Sequence, residues 1–241
     1  MQVQPLILAG GLGSRMGSLT KILPKPLLPV RGIPLISRHI RALKKHGCAA
    51  PIVSLSYKKE FLEAYLQFED VQFLDNEDTT MIDGLFRSAL ISEDSSHILC
   101  LSADVILGEE VFPNVLASDL KPEESKVFVR ATEEAKYKSW YYHVENERLV
   151  DLSKEQDPQA FERAGLLLSV QAVRRMHRTF FDERFLGEGE LPKFEGFGSG
   201  WMLALKLLCE NKEEVRFESV DWNVHNVNMV EDLRALPPWV S

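Results

Sequence analysis

Apolar positions along the chain come in short blocks whose length and spacing alternate between strand and helix. Val3 to Ala9 is a brief apolar block ending on Gly10-Gly11-Leu12-Gly13, the pattern of a buried strand that delivers a glycine-rich loop. Pro24-Lys25-Pro26-Leu27-Leu28-Pro29-Val30 follows, and three prolines in six residues predict an extended segment rather than a helix. Pro34 opens a helix with Ile36, Ile40 and Leu43 on one face and Gly47 past its end. Pro51 to Leu55 reads as strand, Lys58 to Phe68 as helix, and Met81 to Leu90 as a helix turning Met81, Ile82, Leu85, Phe86 and Ala89 to a core. His97 to Ser102 is the next strand.

From Lys126 the rhythm changes. Val127-Phe128-Val129, Tyr141-Tyr142-His143-Val144 and Leu149-Val150 come in quick succession, with Glu145 to Arg148 as a turn, which predicts antiparallel hairpin structure added to the sheet. Ala164 to Val170 reads as strand, Val173 to Phe180 as helix, Gly187 to Gly200 as loop and Trp201 to Leu208 as helix. Val215 to Val220 is strand-like and Val230 to Leu236 a last short helix. Strands alternating with helices through short connections imply an α/β fold, Rossmann-like, with a mostly parallel sheet flanked by helices and a small antiparallel extension. No internal repeat or low-complexity linker divides the 241 residues, so a single domain over 1–241 is expected.

Composition narrows the function classes. Lys and Arg total 28 against 36 for Asp and Glu, a net charge of −8. A protein that coats nucleic acid would be strongly basic, so no nucleic-acid partner is expected. With 45% hydrophobic and 27% charged residues the chain is that of an ordinary globular domain. Cys48, Cys100 and Cys209 are widely spaced without a CxxC pair, which suggests neither a disulfide framework nor a zinc cluster. The first apolar block is too short for a signal peptide or membrane span, so a cytoplasmic protein without a membrane partner is expected.

The chemistry begins at the first loop. A strand followed by Gly10-Gly11-Leu12-Gly13-Ser14-Arg15 can approach a ligand closely and aim several N–H groups at it, as phosphate binding requires. It could also be an ordinary turn with surface charges. A Walker A loop needs Lys-Ser or Lys-Thr after the glycines, and the dinucleotide pattern from Gly11 needs glycine where Met16 stands; both fail. Arg15 and Lys25 beside one glycine loop suggest a triphosphate.

Leu8-Ala9-Gly10-Gly11-Leu12-Gly13-Ser14-Arg15 together with Pro24-Lys25-Pro26-Leu27-Leu28-Pro29-Val30 resembles the signature of the nucleoside-triphosphate transferase superfamily, the sugar-phosphate nucleotidyltransferases and their relatives. The resemblance implies the nucleotidyltransferase form of the GT-A-like fold, with residues 1–120 mainly binding the NTP and 121–241 mainly the acceptor. It implies that Leu8, Ala9, Gly10, Gly11, Gly13 and Ser14 wrap the nucleotide. Arg15 would contact the β and γ phosphates, and Lys25 the α phosphate and the incoming phosphate.

Leu99-Cys100-Leu101-Ser102-Ala103-Asp104 is an apolar strand ending in a carboxylate, and ligands of parallel sheets sit at such carboxyl ends. A turn or helix cap would explain Asp104 equally. The resemblance makes it the catalytic carboxylate that binds Mg²⁺, the implied cofactor. The second ligand would be Asn228 in Asn226-Val227-Asn228-Met229-Val230-Glu231-Asp232-Leu233, although Met229-Val230 replaces the family's Thr-Pro. Asp221 and His225 lie nearby, and His225 reads as structural.

The acceptor half departs from the sugar-phosphate pattern. Ala164-Gly165-Leu166-Leu167 looks like the family's strand beside the acceptor, but Trp140-Tyr141-Tyr142-His143-Val144 and Ser153-Lys154-Glu155-Gln156 replace the usual sugar-binding stretches. Ser139-Trp140-Tyr141 resembles the phosphocholine and aminophosphonate cytidylyltransferase branch, which would place Trp140, Tyr142 and Gly165 at the acceptor and let Trp140 face an ammonium group. Packing within a hairpin is the plainer role for Trp140. Asn76 to Leu85 stands where relatives recognise the base, with Thr79 and Thr80 as nucleotide-binding candidates; Thr80 with Asp83 could instead be a helix cap.

The resulting expectation is a Mg²⁺-dependent nucleotidyltransferase that joins an NTP, CTP being favoured, to a phosphorylated or phosphonylated small molecule and releases pyrophosphate. A sugar-1-phosphate uridylyl- or guanylyltransferase is the alternative, and a regulatory nucleotidyltransferase-like subunit the non-enzymatic one. A homodimer is compatible with the sequence.

Overall fold

The computed structural model describes residues 1–76, 81–92, 94–132, 141–153, 160–184 and 200–241. In its first half the elements are β1 (Val3–Leu8), α1 (Ser18–Ile22), β2 (Pro29–Val30), β3 (Ile33–Pro34), α2 (Leu35–Lys45), β4 (Ile52–Leu55), α3 (Lys59–Leu66), β5 (Gln72–Asp75) and α4 (Met81–Ile91). Then come β6 (His97–Ser102), β7 (Val105–Leu107), α5 (Val111–Leu116), β8 (Ser125–Thr132), β9 (Tyr141–Glu145) and β10 (Arg148–Ser153). The last are β11 (Ala160–Ser169), α6 (Val170–Arg184), α7 (Gly200–Glu210), β12 (Val215–Ser219), β13 (Val224–Asn226) and α8 (Val230–Arg234). The expected loop from Gly187 lies outside the described residues up to Gly200, where α7 already begins.

One nine-stranded sheet in the order β5-β4-β1-β6-β11-β8-β12-β10-β9 carries the fold. β5, β4, β1 and β6 are mutually parallel, which brings the loops after β1 and β6 to one edge. Beyond β6 the pairing turns antiparallel at β11 and β8, returns to parallel between β8 and β12, and ends in the antiparallel β9–β10 hairpin. The expected antiparallel extension is thus continuous with the main sheet.

The central strands are buried on both faces, so their side chains alternate between two cores. Leu6 and Leu8 of β1 join Ile98 and Cys100 of β6 on the face covered by α4, α6 and α7. Ile7, Leu99 and Leu101 point to the opposite face, under α2, α3 and α5. The α2 stripe of Ile36, Ile40 and Leu43 packs there as its helical spacing predicted. All three cysteines are free thiols, and burial pushes Cys100 and Cys209 up to about 12.

The proline segment is extended only at its ends. Lys25–Leu27 form a single 3-10 turn in which Leu27 N–H donates to Pro24 O at 2.9 Å and Leu28 N–H to Lys25 O at 3.0 Å. Pro26 sits in the first turn, where its missing N–H would have had no partner. The prolines therefore permit one turn and prevent a longer helix.

His39 of α2 ties that helix to the end of β6. Its Nε2–H donates to Ser102 O at 3.1 Å, and burial lowers its pKa from 6.5 to about 4 despite that bond. The folded protein thus holds His39 neutral where the unfolded chain would already be protonated. Stability is full above pH 6.5 and falls as the pH drops toward 4, because the unfolded state binds the extra proton. We expect His39 to contribute about 3 kcal/mol of acid destabilisation over that window. Urea unfolding of wild type and His39→Gln at pH 7 and pH 4 checks this; parallel profiles would show that His39 is not held neutral.

Candidate functional site

The edge where β1 and β6 end opens into a cavity of about 460 Å³. Leu8, Ala9, Gly11, Gly13, Ser14, Arg15, Lys25, Asp104 and Asn228, all singled out from the sequence, line it. The loop is pinned to its neighbours: Ala9 N–H donates to Ser54 O at 3.0 Å, and Tyr57 N–H to Gly10 O at 3.4 Å. Gly13 has φ +62°, and a Cβ there would come within 2.8 Å of Thr20 Cγ2, so only glycine fits between the loop and α1. Thr20 Oγ1–H in turn donates to Gly13 O at 3.0 Å.

Two distant parts of the chain supply the oxygens. Asp104 follows β6, and Asn228 follows β13, which pairs antiparallel with β7 so that Asn226 stands opposite Val105. Val227 N–H continues this ladder by donating to Asp104 O at 2.9 Å. Asp232 holds the next turn, its Oδ2 accepting from Asn228 N–H at 2.6 Å and Met229 N–H at 2.7 Å. His225 Nε2–H donates to Asp232 O at 3.0 Å, a structural role as expected.

Each expected phosphate-binding cation rests against an expected metal ligand. Lys25 Nζ lies 2.6 Å from Asp104 Oδ2, with the lysine side chain 8% and the aspartate 31% exposed. Arg15 donates from a guanidinium nitrogen to Asn228 Oδ1 at 2.9 Å. Burial would raise the Asp104 pKa, but the charge and hydrogen bond of Lys25, a bond from Ser102 and the charge of Arg163 outweigh it and hold the carboxyl below its usual range. Asp104 is therefore ionised, as coordination of a hard cation requires.

The donor set around that carboxylate suits magnesium better than zinc. Among the described residues no group of three His, Cys, Asp or Glu converges to hold a metal. Asp104 and the Asn228 amide oxygen border the same cavity. Mg²⁺ commonly takes one or two protein oxygens and completes its shell with water and phosphate. The residues fit that ion.

Some assignments move. Tyr142 is a core residue, 8% exposed, with its ring 5.8 Å from Phe217 and its hydroxyl donating to Met202 Sδ at 3.9 Å; it does not line the cavity. Gly165 is a packing glycine, where a Cβ would stand 3.2 Å from Val115 Cγ2 and 3.3 Å from Phe128 Cδ2. Thr79, Thr80 and Trp140 lie outside the described residues. Arg163, Asn226 and Ser102 line the cavity and were missed by sequence reasoning. Arg163 precedes the Ala164-Gly165 pair in β11, and a charge abutting a buried apolar strand was the signal available.

A family model for the MobA-like NTP transferase domain matches residues 5–182. The chain belongs to that family. Among curated relatives, this transferase domain is 33% identical over 112 residues to the 2-aminoethylphosphonate cytidylyltransferase of Lancefieldella rimae, covering 44% of each chain. It is 39% identical over 67 residues to the D-glycero-alpha-D-manno-heptose 1-phosphate guanylyltransferase of Campylobacter jejuni, covering 28% of this chain and 30% of the relative. The aligned stretches therefore span less than half of these relatives' length. The fold matches the solved CTP:phosphocholine cytidylyltransferase of Streptococcus pneumoniae with TM-score 0.74 at 20% identity, over 98% of this chain and 97% of that one.

The Lys25–Asp104 pair should be measurable as a coupling. Lys25→Met takes from the Asp104 carboxylate its hydrogen-bonded counter-charge and leaves only the charge of Arg163 nearby, whereas Lys25→Met with Asp104→Asn removes both members of the pair. We expect a coupling free energy of about 1–3 kcal/mol from a double-mutant cycle in denaturant unfolding. Additive single effects would show that the pair contributes nothing to the fold.

Proposed function

We propose that this MobA-like NTP transferase domain moves a nucleotidyl group from an NTP to the phosphate or phosphonate of a small molecule and releases pyrophosphate. The observation that carries the reading is the convergence of the glycine loop, Arg15, Lys25 and Asp104 on one cavity.

An acceptor oxygen attacks the α-phosphorus in line; the new O–P bond forms as the bond to the β-phosphate bridging oxygen breaks, and the electron pair leaves with pyrophosphate. The attacking oxygen is already anionic, so no general base is needed and catalysis rests on positioning and charge. Loop N–H groups and Arg15 hold the departing pyrophosphate. Lys25 neutralises charge on the α-phosphoryl oxygens. Asp104 and Asn228 would hold Mg²⁺, which supplies further charge neutralisation on the phosphates.

Binding is a change of partners. Lys25 would exchange Asp104 for a phosphate oxygen, freeing the carboxylate to hold the ion, and Arg15 would exchange Asn228 likewise. Among the described residues, Lys25 and Arg15 already have oxygen partners in Asp104 and Asn228, and phosphate oxygens would replace them.

CTP with an amino-alcohol phosphate or aminophosphonate is the favoured pair. It rests on Trp140 replacing a sugar-phosphate pattern and on the aminophosphonate cytidylyltransferase relative. The heptose 1-phosphate guanylyltransferase relative favours the second reading, GTP with a sugar 1-phosphate. Pyrophosphate release from four NTPs against phosphocholine, 2-aminoethylphosphonate and hexose and heptose 1-phosphates separates them. Turnover of sugar phosphates alone overturns the ammonium assignment, and no release with any pair overturns the transferase reading. With the pair found, Lys25→Ala should lower kcat about 10²- to 10³-fold. Asp104→Ala should abolish turnover while Asn228→Asp retains it. Wild-type rates in both alanine variants would refute the mechanism.

A further inference from the structure

Arg163 is a half-buried cation to which the roles above assign no part. It lies on β11, opposite Val129 of β8, at a point where the register shifts before Gly165 pairs with Phe128. The shift is a β-bulge: Ala164 and Leu167 pack into one core while Leu166 and Leu168 pack into the other, which breaks strict alternation. Gly165 faces the core of Phe128, and Arg163 faces that of Val129, where Cys100 also points. Bulges beside functional sites re-aim single side chains, and this one leaves Arg163 at the cavity wall. Burial lowers its pKa to about 10, which leaves it a cation at neutral pH, and the Asp104 carboxylate favours that charge.

Its place in the sheet says which substrate it meets. Strands β1, β6 and β11 are consecutive neighbours, so the glycine loop, Asp104 and Arg163 stand in that order across the cavity, at about 4.8 Å per strand. If the loop holds the leaving pyrophosphate, in-line displacement at a phosphorus near Asp104 requires the nucleophile to enter from the far side, which is the side of Arg163. A guanidinium there matches a tetrahedral dianion through two parallel hydrogen bonds. The geometry points to Arg163 as the residue that binds the acceptor's phosphate or phosphonate group and aims its oxygen at the α-phosphorus. This rests on the transferase reading above and adds to it the recognition of a terminal dianion by this strand.

Two measurements test it. In steady state with the pair selected by the acceptor screen, Arg163→Met should raise the acceptor KM about 10- to 100-fold and leave the NTP KM within about 2-fold. Arg163→Lys should recover part of that loss, because charge returns without the fork. A changed NTP KM with an unchanged acceptor KM would overturn the assignment. The second measurement needs no turnover: methylphosphonate, which carries only the shared group, is titrated calorimetrically into protein saturated with Mg²⁺ and the α,β-methylene analogue of the NTP that most raises its melting temperature. Wild type should bind and Arg163→Met bind at least about 10-fold more weakly. Equal affinities, or no binding to wild type, overturn the inference. Failure of the transferase reading appears separately, as no pyrophosphate release from any pair. Unliganded melting temperatures of the variants distinguish lost recognition from lost fold.

Discussion

A lysine that is 8% exposed cannot remain charged inside the protein without a partner, and here that partner is Asp104 at 2.6 Å. Much of the surrounding structure serves to bring these two groups together. Lys25 is fixed by the 3-10 turn between extended prolines, and Asp104 by the end of a strand buried on both faces. Neither group is held by its own local sequence alone. The pair joins the proline segment to the sheet and leaves both side chains facing the cavity.

The carboxyl-terminal residues enter the same constraint from the other side. Val227 N–H bonds to Asp104 O, and Val227 is itself buried in a third, smaller core with Met16, Leu28, Val30, Leu35, Ile106 and Val240. That cluster takes Met16 from the turn after the glycine loop, Leu28 and Val30 from the proline segment, Leu35 from α2, Ile106 from β7, and Val227 and Val240 from the carboxyl-terminal stretch. It is a floor beneath the site, and it explains how Asn228 and Arg15, 213 positions apart, meet at 2.9 Å. Hydrophobic burial sets the position here, and the hydrogen bonds set the orientation.

Legibility followed how unusual the local backbone or chemistry had to be. The glycine loop, Arg15 and Lys25 were readable because few other structures require glycines followed by a basic residue and a proline-bracketed lysine. The long elements were readable from periodicity, and β1, α2, α4, β6 and α7 stand close to their expected bounds. Short pieces such as α1, β5, β7, α5 and β13 went unread, since three to six residues carry too little pattern to separate strand, turn and helix. Tyr142 and Gly165 were read as acceptor residues from the family resemblance alone, yet Tyr142 turns into the core with Phe217 and Gly165 packs closely against Phe128. Arg163 beside an apolar strand was a signal without a direction: a one-residue bulge decides which face it takes, and no pattern of period two reveals a bulge in advance.

Under the proposed function, the two halves of the sheet would hold ligands by different means. On the parallel side, loops after β1 and β6 present backbone N–H groups, glycine contours and a strand-end carboxylate, all of which depend on loop shape. On the antiparallel side, β11 runs opposite to β6, so residues early in that strand reach the edge where β6 ends. A strand side chain can be exchanged without rebuilding a loop, whereas the glycine loop tolerates little change at Gly13. On the proposed reading, selectivity for what is joined to the nucleotide would change by single substitutions along β11 and its neighbours while the glycine loop stays intact. Relatives named for an aminophosphonate and for a heptose phosphate, both matched by this one chain, are what such a division would produce.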